Sequence, residues 1–452
     1  MLRPRLLLWL LTPLTLALAG CVAERPADPV VFTGANVPRL QGVAPGKVIG
    51  YRYRNERWEQ SPVQVDERAV IDLAKPKNAT PVGHTFLSYT DPNTFTGSDP
   101  NTNLDANDEI VFMGIDAGAK APAGSTPPGV VAGSGVEVKI VDSLGNPTPA
   151  YLYLFHQTGN LDPGAGRRYV DYRFNLLSGN YKATYNLNSG PNPEDSTIST
   201  DFYSHHFSDR WIDDQLRITA PNASGVDLLD RHKNLFAPGE CVRNENTFSN
   251  GAGALIANKN GPVRAIRSYM GANSGVYTHR EHLFYQRRQD ITTFLRVHSI
   301  PGVMDFFDYT AAATGMTYMH EFDQRGARID GVPESPTPGQ ISWETVDGAQ
   351  GSLGIVHTFS TDLSSFNHTS YYLDKQNPGG GSETQCTGDA SAYGASGPRV
   401  AQALPNTDPT LGTANRFTAT RSLFYDSPGK TDGPRRKAQV TSPLQTTFAN
   451  WP

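Results

Sequence analysis

Two short runs concentrate the residue types that move protons and hold charge. Tyr203, His205, His206, Arg210 and Trp211 fall in the first, and Tyr277, His279, Arg280, His282 and Tyr285 in the second. Read as a strand, 277–288 alternates sides. Tyr277, His279, Glu281 and Tyr285 then share one face, and Arg280, His282, Phe284 and Arg288 the other. Arg296 and His298 share a face of the strand that follows. An arginine or histidine neutralises a carboxylate, a tyrosine or histidine exchanges a proton, and an aromatic ring stacks on a sugar. That inventory suits a uronic-acid polysaccharide, and the reaction to expect, if there is one, is elimination. A tyrosine or histidine would take the proton, while an arginine, a histidine or Ca²⁺ would stabilise the enolate-like charge. Tyr277, His279, His205 and Arg264 are the catalytic candidates; His206, Arg210, Trp211, Arg280 and His282 are the ligand-binding ones. The competing reading is structural, because aromatic and charged cross-strand pairs also stabilise sandwich faces. His279 and His282 do not read as a zinc pair, since i and i+3 on a strand face opposite ways. The same spacing separates Asp305 from Asp308.

A second constellation is Asp105, Asn107, Asp108 and Glu109, preceded by Asn101 and Asn103 and followed at once by an apolar run. Hard oxygen donors at alternate positions suit a structural calcium loop, although the glycine and distant glutamate of an EF-hand are missing. The plainer alternative is an Asx-rich turn that opens a strand. No Gly-x-Ser-x-Gly elbow, P-loop or dinucleotide fingerprint is present. The net charge of −5 provides no basic footprint for nucleic acid.

The N-terminus is a bacterial lipoprotein signal in pattern. Arg3 and Arg5 precede an apolar run over residues 6–19, too short to span a bilayer, and Leu18-Ala19-Gly20-Cys21 resembles a lipobox. The resemblance implies cleavage before Cys21, lipid on its thiol and a place in the cell envelope. Val22 is not the aspartate that holds many lipoproteins at an inner membrane, which favours the outer membrane or cell surface. With Cys21 lipidated, Cys241 and Cys386 remain as an even pair in an oxidising compartment, and a disulfide between them is predicted.

The elements that must position these residues are strands. Charged residues are only 18% of the chain, and 43 Gly and 34 Pro supply turns, which together favour an all-β exported protein. Short alternating runs recur without a long helical period. The clearest hairpin joins 136–141 to 150–156 through Ser143-Leu144-Gly145-Asn146. The expected order is a signal peptide (1–20), a tether (21–45), a small N-terminal β-domain (46–157), a large antiparallel β-sandwich (158–426) and a C-terminal tail (427–452).

Pro62-Val63-Gln64-Val65-Asp66-Glu67, with Asp105-Ala106-Asn107-Asp108-Glu109-Ile110-Val111-Phe112, resembles a paired pattern of exported β-rich bacterial proteins linked to polysaccharide use. Gly261-Pro262-Val263-Arg264 resembles a strand entry of galactose-mutarotase-like super-sandwiches of that group. The resemblance covers little of the chain and implies a carbohydrate-related sandwich, with no catalytic residue carried over. Two functions follow as expectations: a lipid-anchored protein that binds or degrades polysaccharide, or a non-enzymatic adhesin, scaffold or subunit of an envelope complex.

Overall fold

Alternating apolar and polar residues resolve into antiparallel sheets throughout the computed structural model. It describes residues 21–73, 85–178, 192–236, 241–251, 253–272, 278–296, 300–377, 385–386, 389, 391–404 and 415–452. The signal segment, Tyr277 and His298 lie outside the described residues. Among those described, helix is confined to Glu245–Asn250, Gly433–Thr441 and a few 3-10 turns. No described helix is long and apolar enough to cross a membrane.

The N-terminal unit is a small sandwich. Its five-stranded sheet runs in the order Gln445–Asn450, Val136–Val141, Ala150–His156, Val48–Arg54 and Arg57–Ser61. A three-stranded sheet of Pro29–Thr33, Glu109–Met113 and Gln64–Asp66 packs against it. Val30, Phe32, Ile110 and Phe112 from one sheet meet Val138, Ile140, Leu152 and Leu154 from the other. Both flanking expectations are corrected here. Residues 21–45 are no loose tether, because Val22, Arg25, Ala27 and Asp28 are buried and Pro29–Thr33 pairs with Glu109–Met113. Residues 427–452 are no tail, because Gln445–Asn450 completes the five-stranded sheet beside Val136–Val141. Charge and proline disguise the first segment; a single strand cut off from its partners in sequence disguises the second.

The larger unit is built on a nine-stranded sheet whose middle strands are Thr278–Phe284, Arg288–Arg296, Asn415–Asp426 and Gly351–Thr361. One face packs on two four-stranded sheets. The first contains Tyr203–Phe207 and Asp213–Ile218; the second runs Leu229–Leu235, Val303–Tyr309, Ala392–Val400, Thr369–Lys375. Phe284, Ile291, Leu353, Ile355 and Leu423 interlock there with Tyr203, Phe207, Leu216, Phe307 and Tyr309. The other face is covered as well. The hairpin Arg68–Asp72/Thr85–Tyr89 packs Ile71, Tyr89 and Phe86 over Ile256, Ile266 and Met270. Val440 of the Gly433–Thr441 helix packs with Trp343, Val356 and Phe424 further along. Cys241 and Cys386 are disulfide-bonded, Cα atoms 5.4 Å apart, as predicted.

Candidate functional site

Arg280 and His282 point into the layer between the sheets. Arg280 Nε donates to Thr293 (2.9 Å), its NH2 lies 2.5 Å from Asp305 Oδ2, and its guanidinium stacks 4.7 Å from the Trp211 ring. The other oxygen of Asp305 accepts from Arg421 (2.9 Å) and lies 2.6 Å from His232 Nε2. Burial alone would raise the Asp305 carboxyl, but Arg280, His232 and Arg421 hold it well below the carboxylate range. Burial wins at His232, whose imidazole is pushed down to about 4 despite Asp305. His205 sits beside Asp213 (3.1 Å) and Tyr425 (2.9 Å). Tyr425 donates to Gln289 (2.9 Å), which reaches His282 (3.1 Å), and His282 reaches the Tyr269 hydroxyl (3.1 Å). Buried polar groups are tolerable only when paired, and each of these side chains has at least one partner within the layer.

His279, Arg264 and Glu281 belong to the opposite face. His279 Nε2 is 2.8 Å from Ser268 Oγ, its ring held between Phe86 and Phe294. Arg264 bonds Asp66 (2.9 Å) and Glu109 (2.7 Å) of the N-terminal unit and Tyr285 (3.2 Å) of its own. Glu281 is raised to about 7, by burial first and then by the nearby Glu109 charge. Arg210 donates to the carbonyls of Phe248 (3.0 Å) and Gly251 (3.1 Å), and Trp211 Nε1 to that of Gly271 (2.6 Å). His206, partly exposed, lies between Asp214 (2.6 Å) and Asp195 (3.2 Å), and these carboxylates outweigh its burial to raise its pKa.

Sequence alternation therefore sorts the faces correctly between His279 and Phe284, but it does not gather one site. His205, Arg210, Trp211, Arg264, His279, Arg280 and His282 are all buried. They divide between the two faces of one sheet, and both faces are covered. Among the described residues, no path for a polymer to them is open. The covering of the second face was hidden because it comes from residues 68–89, far away in sequence.

The expected calcium loop is a closed turn. Asp108 accepts from the amides of Arg68 (2.8 Å) and Asp105 (2.8 Å), and Asp105 from the Asn107 amide (3.0 Å). Glu109 turns away to Arg68 (2.6 Å), Arg264 (2.7 Å) and Tyr89 (2.7 Å). The oxygens of Asp105, Asp108 and Glu109 already accept hydrogen bonds, while Asn107 Oδ1 is buried without a partner, so the loop closes as an Asx turn without an ion.

Carboxylates that could hold a metal ion converge elsewhere. Oxygens of Asp230, Asp308 and Asp389 lie within 4.8 Å of one another. They gather on the outer side of the second four-stranded sheet, near the disulfide. Sequence reading paired Asp305 with Asp308 only to separate their faces, and the separation holds. Asp305 faces inward to Arg280 while Asp308 accepts from Gln385 (3.0 Å) on the outside.

An open cleft of about 240 Å³ lies along the strand Asp323–Arg328 at the margin of the nine-stranded sheet. Asp323, Arg325, Glu334, Ser335 and Pro336 line it. Arg325 binds Asp323 through two nitrogens (3.0 and 2.8 Å) and holds that carboxyl well below its usual range. Phe322, 50% exposed, precedes the strand and lies against Gly339.

No family model and no curated protein matches the sequence. Among solved structures, the chain is similar to HI1317, with 8% identity and a TM-score of 0.30, over 56% of this chain and 100% of that one. It is also similar to a protein described as a "Putative aldose 1-epimerase (b2544)" from Escherichia coli K12, with 10% identity and a TM-score of 0.29, over 57% and 99% of the two chains. Likeness of that order says nothing of ligand or reaction.

Proposed function

We propose that this chain is a cell-envelope lipoprotein that binds an extracellular glycan and does not cleave it. The observation behind this reading is the contrast between its interior and its margin. The histidines and arginines that elimination would need are buried among fixed partners, whereas the cleft beside Arg325 is open. Its arginine, carboxylates and serine hydroxyl can meet sugar hydroxyls, and the neighbouring Phe322 ring offers a stacking surface. Lipid at Cys21 would hold the body where such polymers are found.

A glycan array combined with a lyase absorbance assay on residues 22 onward tests the proposal. Binding without unsaturated-sugar absorbance is the expected result, with Arg325→Ala and Phe322→Ala each weakening it several-fold at an unchanged melting temperature. New absorbance would return catalysis to the protein. Silence across acidic and neutral glycans would favour a scaffold or adhesin, and pull-down from intact envelopes would then identify its partner.

A further inference from the structure

Asp308 is fully buried (0% exposed), yet its Oδ1 has no hydrogen-bond partner. Gln385, 1% exposed, donates its amide to Asp308 Oδ2, and its own Oε1 is also unpartnered. Desolvated acceptors left like this are costly, and more so when charged. The strands around them are irregular at this level. The pairing of Leu229–Leu235 with Val303–Tyr309 shifts register between Leu229, opposite Tyr309, and Arg231, opposite Asp308, which leaves Asp230 as the extra residue. On the other side, pairing with Ala392–Val400 shifts between Phe307 and Tyr309. A bulge re-aims a side chain, and here the first one allows Asp230 to approach Asp308.

Charge does not balance at this point. Lys233 contacts Asp389 and lies 3.8 Å from Glu245, while Arg231 lies 3.9 Å from Glu245. Among the described residues, two cations therefore face four carboxylates (Asp230, Asp308, Asp389 and Glu245), leaving an excess of two negative charges. We propose that Asp230, Asp308 and Asp389, with Gln385 Oε1, bind one hard divalent cation of the calcium type. The donors are all oxygen, which excludes a soft-metal preference, and they come from two strands and a loop, a geometry calcium accepts more readily than magnesium. The disulfide contributes placement, since Cys386 is bonded to Cys241 next to Gln385. The bound ion would tie that loop to the sheet.

The test is calorimetric titration of chelator-stripped protein with CaCl₂, together with thermal melting. The expected result is one calcium per chain and a higher melting temperature. Asp308→Asn and the more exposed Asp230→Asn should each weaken binding at least ~10-fold. In chelator, Asp308→Asn should melt no lower than wild type, because the neutral amide needs no counter-ion. Asp105→Asn should bind calcium normally. No heat and no melting shift in the wild type would overturn the proposal. So would a response lost in Asp105→Asn but kept in Asp308→Asn and Asp230→Asn.

Discussion

Glu281 shows how a single side chain can report on the covering of the large sheet. Its folded pKa of about 7 stands above the ordinary glutamate value of 4.5, chiefly through burial. A raised carboxyl contributes stability that is fully present below about pH 4.5 and is lost as pH climbs through 7. Glu281→Gln should remove that slope and stabilise the protein at pH 8 by on the order of 1–3 kcal/mol. Denaturant unfolding at pH 5 and pH 8 measures it, and equal slopes in the two proteins would refute the burial account. At this scale the sequence was legible in part. Strand alternation placed His279 with Glu281 and Arg280 with His282, as observed. It could not show that Phe86 would close over His279, or that Asp305 would reach Arg280 from another sheet. Tyr285 keeps its expected side, reaching Arg264, whereas Arg288 leaves its side for Asp28 because the chain turns between Phe284 and Arg288.

Among elements, the strand Gln445–Asn450 carries more weight than its polar sequence suggests. It hydrogen-bonds along Val136–Val141, and Trp451 just beyond it is buried, its ring 4.8 Å from Tyr153 and its Nε1 donating to the Ser125 carbonyl (2.8 Å). Trp451→Ala should cost about 3–5 kcal/mol, the range for large aromatic truncations. A melting temperature within a degree of wild type would show that this edge strand is dispensable. The hairpin Val136–Val141/Ala150–His156 was readable because both partners and their turn are adjacent in sequence. The C-terminal strand was not, because the whole large sandwich lies between it and Val136–Val141 in sequence, and alternation in one strand does not name its partner. The disulfide was readable for another reason: cysteine counting is independent of distance along the chain.

Across the whole molecule, two sandwiches meet at Arg264, whose guanidinium bridges Asp66 and Glu109 on one side and Tyr285 on the other. Replacing one partner of a buried ion pair strands the rest, at about 3–5 kcal/mol. Arg264→Met should therefore lower stability by about that much and separate the unfolding of the two units. Differential scanning calorimetry should resolve a second transition, and a single transition at the wild-type temperature would mean that apolar packing alone joins them. The all-β, antiparallel class was legible from composition and turns. The joint was not, because Gln64-Val65-Asp66 and Gly261-Pro262-Val263-Arg264 are widely separated, and only folding brings the Gln64 side chain onto the amides of Val263 and Arg264 (3.1 Å each).

Burial begins at Val22, 1% exposed, and Arg25 is fastened to Asp28, Asp142 and the Ser442 carbonyl. If Cys21 is acylated, one peptide unit of about 3.8 Å separates the lipidated residue from the folded surface. The body would then sit close to the bilayer, with the side around Glu24 and Arg435 nearest the headgroups. Membrane attachment in this protein would thus choose which surfaces meet the outside world, as a mounting plate does, rather than merely keeping the molecule nearby.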